Sequence, residues 1–196
     1  MQYENLLQLH KEIRNYGKLI NKEPVINTLR TSQKYLLISS DPSSDTDKSK
    51  NDSVPHSDFE KRVLSLFFLG SDDKESLDKL GGDLTKKKDI FLNNVYWTHY
   101  SRVYTGGNPD RLWADKFLMR EIELFEPKLI IIFGNIAATF LLGKGRLKDR
   151  VNKVLKWTDI DVICCLHPSK NWNLKKRPAF QFNETWKLIR SKIELK

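Results

Sequence analysis

Two cysteines in 196 residues are too few for a disulfide framework. Cys164 and Cys165 are neighbours in the run VICCL, and neighbours on a strand point to opposite faces. They can share neither a disulfide nor a metal, and two buried thiols in a reducing compartment follow. Long hydrophobic runs are missing too. The longest, LIIIF (129–133) and VICCL (162–166), fall far short of the roughly 20 residues that cross a bilayer. The N-terminus, MQYENLLQLHKEIRNYGKLI, lacks the basic start and continuous apolar stretch of a signal peptide. A soluble cytoplasmic protein is the expectation. Glycine motifs are also lacking. GGD (81–83) and GKG (143–145) give neither GxGxxG nor GxxxxGK[ST], and ISSDPSSD lacks the glycines of a G-x-S-x-G nucleophile elbow. No closed set of metal-ligand spacings exists, so neither a metal nor another cofactor is expected.

Present instead are 39% hydrophobic and 11% aromatic residues, enough for a continuous core. The formal charge of +9 points to a polyanionic partner, of which nucleic acid is the commonest. Four short apolar runs read as buried strands: YLLISS (35–40), IFLNNVY (90–96), LIIIFG (129–134) and VICCLH (162–167). Continuous rather than alternating apolar character is what a parallel sheet covered on both faces requires. Helical spacing appears over 58–69, 110–125, 135–142 and 147–155. A last helix, FNETWKLIRSKIEL, puts Trp186, Ile189 and Ile193 on one stripe. Residues 1–30 open with an amphipathic helix carrying Leu6, Leu7, Leu9, Ile13 and Ile20. The alternation of strand and helix makes the class α/β: a three-layer α/β/α sandwich around a four-stranded parallel sheet. One domain spans 1–196, with 1–30 as a helical extension packed on it, and a monomer is expected. Two polar stretches, 43–53 and 71–89, read as solvated loops, the second with room for one short helix.

Polar residues gather where the proposed strands end. Asp41 follows the first, Asn93 and Asn94 lie in the second, Gly134 ends the third, and HPS (167–169) ends the fourth. Parallel strands bring these ends to one edge, where open α/β sheets bind ligands. Asp41 as a plain turn former and His167 as a structural histidine are the simpler alternatives.

The stretch FLNNVYWTHY…RLWADKFLMREIELFEPKLIIIFGNIAATFLLG…DVICCLHPS resembles the uracil-DNA glycosylase superfamily over roughly residues 33 to 190. The likeness is closest to the thermophilic and bacterial branch, and EPKLIIIFGNIAATFLLG (126–143) is its most specific block. The resemblance implies a monofunctional DNA glycosylase, a hydrolase of N-glycosyl bonds with DNA as partner. Position by position, it makes Asp41 of SSDPS the carboxylate that assists water attack on the sugar. It makes Asn94 the reader of the base edge, and His167 the donor to a pyrimidine carbonyl. Pro168 and Ser169 complete the second motif, and the residues after them enter the duplex. The chemistry agrees. Breaking an N-glycosidic bond builds positive charge on the sugar, which Asp41 can stabilise, and negative charge on the base, which His167 can stabilise. Asn94 offers one donor and one acceptor to a Watson–Crick edge. Extruding the base costs roughly a few kcal/mol. In KNWNLKKR (170–177), Trp172 or Leu174 can fill the gap while Lys170, Lys175, Lys176 and Arg177 meet phosphates.

The departures from the family bear on substrate. The uracil-specific branch has Tyr after Asp-Pro, and its ring excludes a 5-methyl group. Ser43 stands there here and leaves room beside C5. His56 stands where the thermophilic branch has a stacking Phe, with Phe59 as a substitute stacker or a core residue. The iron–sulphur cysteines of that branch are absent. Uracil and pyrimidines with a 5-substituent, such as hydroxymethylated or glucosylated phage bases, both remain as substrates, in repair or in anti-phage defence. A catalytically silent DNA-binding or partner-binding module is the non-enzymatic alternative.

Overall fold

The computed structural model describes residues 2–42, 58–80, 84–106, 108–168 and 179–195. A five-stranded sheet forms its centre, in the order β2-β1-β3-β5-β4. The strands are β1 (Tyr35–Ser39), β2 (Val95–His99), β3 (Leu129–Phe133), β4 (Leu155–Trp157) and β5 (Ile160–Cys165). The first three and β5 run parallel, and β4 is a short antiparallel edge against β5. The expected four-stranded parallel sheet is therefore present, with one more strand at its rim.

Every residue of β1, β2 and β3 is buried, as continuous apolar runs demand. Alternate residues feed two cores. Leu37, Trp97, Ile131, Phe133, Ile163 and Cys165 join one, while Leu36, Ile38, Ile130, Ile132, Val162 and Cys164 join the other. The adjacent cysteines thus do point to opposite faces, as two free thiols. The first core is covered by α2 (Asp58–Leu69), α3 (Lys74–Leu80), α4 (Leu84–Asn94) and α8 (Ala179–Lys192). The second is covered by α6 (Met119–Phe125), α7 (Asn135–Leu142) and, through Leu6, the start of α1 (Gln2–Leu19). Helix α1 also packs Leu9 and Ile13 against Trp113 and Phe117, and its Glu12 pairs with Arg120 at 2.9 Å. Short α5 (Arg111–Trp113), capped by Asp110, runs into α6 through one wider π turn at Ala114–Leu118. Among the described residues no helix is long and apolar enough to cross a membrane.

Three expectations need correction. The run IFLNNVY is not one strand: its first half ends α4 and its last residues begin β2. Leu84, Lys87, Lys88, Phe91 and Leu92 follow the i, i+3, i+4, i+7, i+8 spacing of a helix, and the lysines on that stripe conceal it. The stretch 71–89 accordingly holds α3 and the start of α4, rather than one short helix. Residues 147–155 form no helix beyond one tight turn at Leu147–Asp149, because the chain turns there into β4.

Candidate functional site

The strand order places a topological switch between β1 and β3. The chain leaves β1 towards β2, then crosses back over β1 to reach β3 on the other side. In open parallel sheets the crevice outside the carboxyl ends at such a point is the ordinary ligand site. Asp41 lies there, two residues past β1, and Gly134 opens the turn after β3 with φ of +84°, a conformation that suits glycine.

The chain after β1 is tied down. Its pairing with β2 continues beyond both strands, from Tyr100 N–H to the Ser39 carbonyl and from Ser101 N–H to that of Ser40, each at 2.8 Å. Asp41 is then held by Thr105, whose hydroxyl and amide donate to its Oδ2 at 3.0 and 3.3 Å. Among the described residues both bonds fall on Oδ2, so Oδ1 is the oxygen that these bonds leave open to a water.

His167 follows β5 and packs its ring edge-on against Phe133 with centroids 5.7 Å apart. Burial pushes its pKa down to about 4, against an upward pull from the Asp41 charge, so the imidazole is neutral near pH 7. Asp41 and His167, picked out by their positions at strand ends, are thus electrostatic neighbours.

Asn94 does not join them. It closes α4 on the amino side of β2, level with Lys34, whose N–H donates to its carbonyl at 2.9 Å. Its side-chain amide donates to the Ile90 carbonyl at 2.8 Å, and it is 5% exposed. With β1 and β2 paired residue for residue from Tyr35–Val95 to Ser39–His99, Asn94 stands about 20 Å from Asp41 along the strands. Asn93 likewise ties that edge, accepting from Arg30 and Ser32. Neither asparagine can read a base held at Asp41.

The residue of β2 that does reach this edge is His99, directly opposite Ser39. It is 3% exposed; its Nδ1 lies 2.7 Å from Ser39 Oγ, its buried Nε2 has no close partner among the described residues, and the Asp41 backbone acts on the ring as a hydrogen-bond acceptor. Burial, then the charge of Arg102, push its pKa down to about 3. His167 adds to this, while Glu121 and the Asp41 backbone pull upward. His99 and His167 stand over one aromatic floor: His99 rests on Trp97 at 6.0 Å, Trp97 meets Phe133 at 6.4 Å, and Phe133 meets His167. The sequence signal for His99 was its position after VYWT, the run that remains once α4 takes its share.

Behind β2, on the opposite face, lies a buried ionic cluster. Arg102 pairs with Glu121, which also accepts from the hydroxyls of Tyr96 and Thr98, and His10 bonds the Tyr96 hydroxyl at 2.8 Å. Burial alone would raise the Glu121 carboxyl. Arg102, with the hydrogen bond from His10, instead holds it well below the ordinary carboxylate range. The cluster ties α1 and α6 to β2 and fixes the segment that leads to Thr105.

Ser43, His56 and the stretch 169–177, with Ser169, Lys170, Trp172, Leu174, Lys175, Lys176 and Arg177, lie outside the described residues, as does the side chain of Phe59. Among the described residues no cluster of histidine, cysteine and carboxylate could hold a metal ion.

One family model, described as Uracil DNA glycosylase superfamily, matches residues 26–190. That span takes in every parallel strand, the switch-point crevice, Asp41, His99 and His167. Most of its length is the sheet and the helices that cover it, so the match and the observed fold agree independently of any site residue. The chain belongs to the uracil-DNA glycosylase superfamily.

Proposed function

We propose that the protein hydrolyses the N-glycosidic bond of a pyrimidine flipped out of DNA, leaving an abasic site. The base is uracil or a 5-modified pyrimidine such as hydroxymethylated or glucosylated cytosine, and the setting is DNA repair or defence against phage. Membership of the superfamily supports a DNA glycosylase in general terms. The observation that carries the reading further is the pairing of Asp41 with a neutral His167 at one edge of the sheet.

The roles follow from charge. As the bond to the base breaks, positive charge grows on the sugar, and the Asp41 carboxylate stabilises it through space. Its Oδ1 accepts a hydrogen bond from the attacking water and takes up the proton as the new C–O bond forms. Negative charge passes to the base, where a neutral imidazole N–H of His167 donates to a carbonyl oxygen. A neutral donor suits this task, since it can stabilise the leaving anion without first losing a proton to it. The +9 charge favours binding to the phosphate backbone, with a salt dependence to match.

The test is base release from end-labelled oligonucleotides carrying uracil, and from glucosylated, hydroxymethylated and unmodified phage DNA. Alkali converts abasic sites to breaks, and the Asp41→Ala protein serves as control. Breaks at uracil alone identify a repair enzyme. Breaks confined to modified phage DNA identify a defence enzyme. DNA that is bound but never broken, or breaks that persist in Asp41→Ala, would overturn the proposed mechanism.

A further inference from the structure

The segment that leaves β2 is pinned at nearly every residue, and Tyr104 is the one it holds out. Tyr100 and Ser101 prolong the ladder with β1, and the Ser101 hydroxyl donates to the Val103 carbonyl at 3.0 Å. The Arg102 carbonyl accepts from Val25 N–H at 2.7 Å, and its guanidinium is paired with Glu121. Thr105 is fastened to Asp41. Residues 100–102 are buried, and Val103 and Thr105 are half-buried, yet Tyr104 between them is 55% exposed. It is the most exposed tyrosine of the described residues, and among them no ring, cation or hydrogen-bond partner meets it. Gly106 follows with φ of +67°, and a Cβ placed on it would meet nothing within 4 Å, so the chain here faces open space. A lone apolar side chain on a surface needs no explanation. This one stands a single residue, about 3.8 Å along the backbone, from the threonine that grips Asp41.

We propose that Tyr104 is a stacking platform for the base next to the extruded nucleotide, and that it makes the protein favour unpaired DNA over duplex. The inference rests on the glycosylase reading and adds to it the form of the substrate. Strand β2 is an edge of the sheet and Tyr104 follows it, on the flank of the crevice away from β5 and His167. A DNA strand that passes Asp41 leaves the crevice over one flank and enters over the other. On the β2 flank the nucleotide beside the reacting one comes within reach of Tyr104. The occupant is a base rather than a phosphate, because every charged residue from 104 to 115 is already paired. Asp110 pairs with Lys22 at 3.2 Å, and Arg111 with Asp115 at 3.1 Å. What the flank offers is an aromatic face. Every base has a π-face of its own, so this contact reads no sequence. It does read pairing. In a duplex the neighbouring base is held by its complement, and moving it on to Tyr104 would break that pair. In a single strand it is free to move, and stacking on an aromatic side chain strengthens binding by about 10- to 100-fold. The pinned backbone holds Tyr104 out beforehand, so little order is lost when the base arrives. The contact lies away from the reacting atoms and is equal in the ground and transition states. It therefore lowers KM and leaves kcat alone.

The test is a double-mutant cycle between protein and DNA, read by fluorescence anisotropy. The probes are short labelled single strands carrying non-cleavable 2′-fluoro-2′-deoxyuridine or its 5-hydroxymethylcytosine counterpart, alone and annealed to a complement. A second set replaces the nucleotide on the 5′ or the 3′ side of the analogue by an abasic residue. Tyr104→Leu should weaken binding of the single strand by about 10- to 100-fold and of the duplex by less than about threefold, with Tm unchanged. Tyr104→Phe keeps the ring and should bind as the parent does. The abasic residue, on one of the two sides, should weaken the parent by the same factor and Tyr104→Leu no further, since ring and base are the two halves of one contact. In excision assays Tyr104→Leu should raise KM by the same factor at unchanged kcat. Single-strand binding untouched by Tyr104→Leu, losses that add in the cycle, an equal loss on duplex, or a failure of Tyr104→Phe to bind as the parent does would each overturn the role of Tyr104. With bases still excised, the glycosylase reading survives that outcome. A cycle that holds with no base excised from any DNA leaves the platform standing and overturns the glycosylase reading.

Discussion

Lowering the pH from 7 to 5 should cost this protein about 3 kcal/mol of folding stability, nearly all of it through two histidines. The sign comes from comparing the folded and unfolded chains. An unfolded histidine titrates near 6.5, whereas folding holds His99 at about 3 and His167 at about 4. Between those values the unfolded chain takes up protons that the folded one refuses, so acid favours unfolding. The stability from each neutral ring is present above pH 6.5 and is lost as the pH falls towards the folded value. For His99, linkage gives a loss of about 2 kcal/mol between pH 7 and pH 5. Solvent reaches part of His167, and screening reduces its share to about 1 kcal/mol. Glu121 adds nothing in this window, because its carboxyl is ionised in both states until the pH falls below about 4.5. The assay is urea denaturation followed by tryptophan fluorescence at pH 7, 6 and 5. His99→Gln should lose about two thirds of the acid dependence. A parent curve that moves by less than about 1 kcal/mol, or a His99→Gln curve that moves as much as the parent, would refute the burial argument.

Other perturbations address separate parts of the structure. Thr105→Val removes the shorter of the two bonds to Asp41 Oδ2 and should lower kcat about tenfold with little change in KM; an unchanged kcat would show that Asp41 needs no such support. Glu121→Ala leaves Arg102 buried without its counter-charge, a loss of about 3–5 kcal/mol. It should appear as a fall in Tm of roughly 10 °C by calorimetry. Gly134→Ala forces a side chain on to φ of +84° with ψ of 178°, a region that essentially only glycine occupies, and should cost about 1–3 kcal/mol. The new Cβ would meet Ser40 Oγ at 3.7 Å, an ordinary contact, so the cost is backbone strain alone, and Gly134→Asn should cost about as much because this is not the left-handed helical region that Asn tolerates.

How far the sequence leads depends on what each residue's neighbours are. The buried strands announce themselves, since LIIIF and VICC can satisfy their side chains only inside a two-sided sheet, and both fall where expected. Helices Asp58–Leu69 and Asn135–Leu142 match their apolar spacing to the residue. From strands in parallel it follows that their carboxyl ends converge, and Asp41 and His167 could be brought together on that ground alone. Asn94 failed because a boundary moved. Five residues, IFLNN, that read as strand belong to a helix, and since β2 begins only at Val95 Asn94 falls at the wrong edge of the sheet.

The same shift that removes Asn94 is what supplies His99, and this explains why the two errors are one. Strand β2 is five residues long, and β1 is paired with it along its whole length. Placing Val95 at its start necessarily places His99 at its end, opposite Ser39. No local pattern states this, because polar residues at positions 98 and 99 read as the end of an apolar run rather than as buried strand. Thr98 and His99 can be buried only because each finds a partner from elsewhere in the chain: Thr98 bonds Glu121, 23 residues on, and His99 bonds Ser39, 60 residues back. A buried polar residue is legible only when its partner is known, and partners so distant are set by the order of the strands. The fold is therefore carried by hydrophobic runs that can be read one at a time, and the site by pairs that cannot. Trp97, Ser39 and His99 form such a set, joined across two strands.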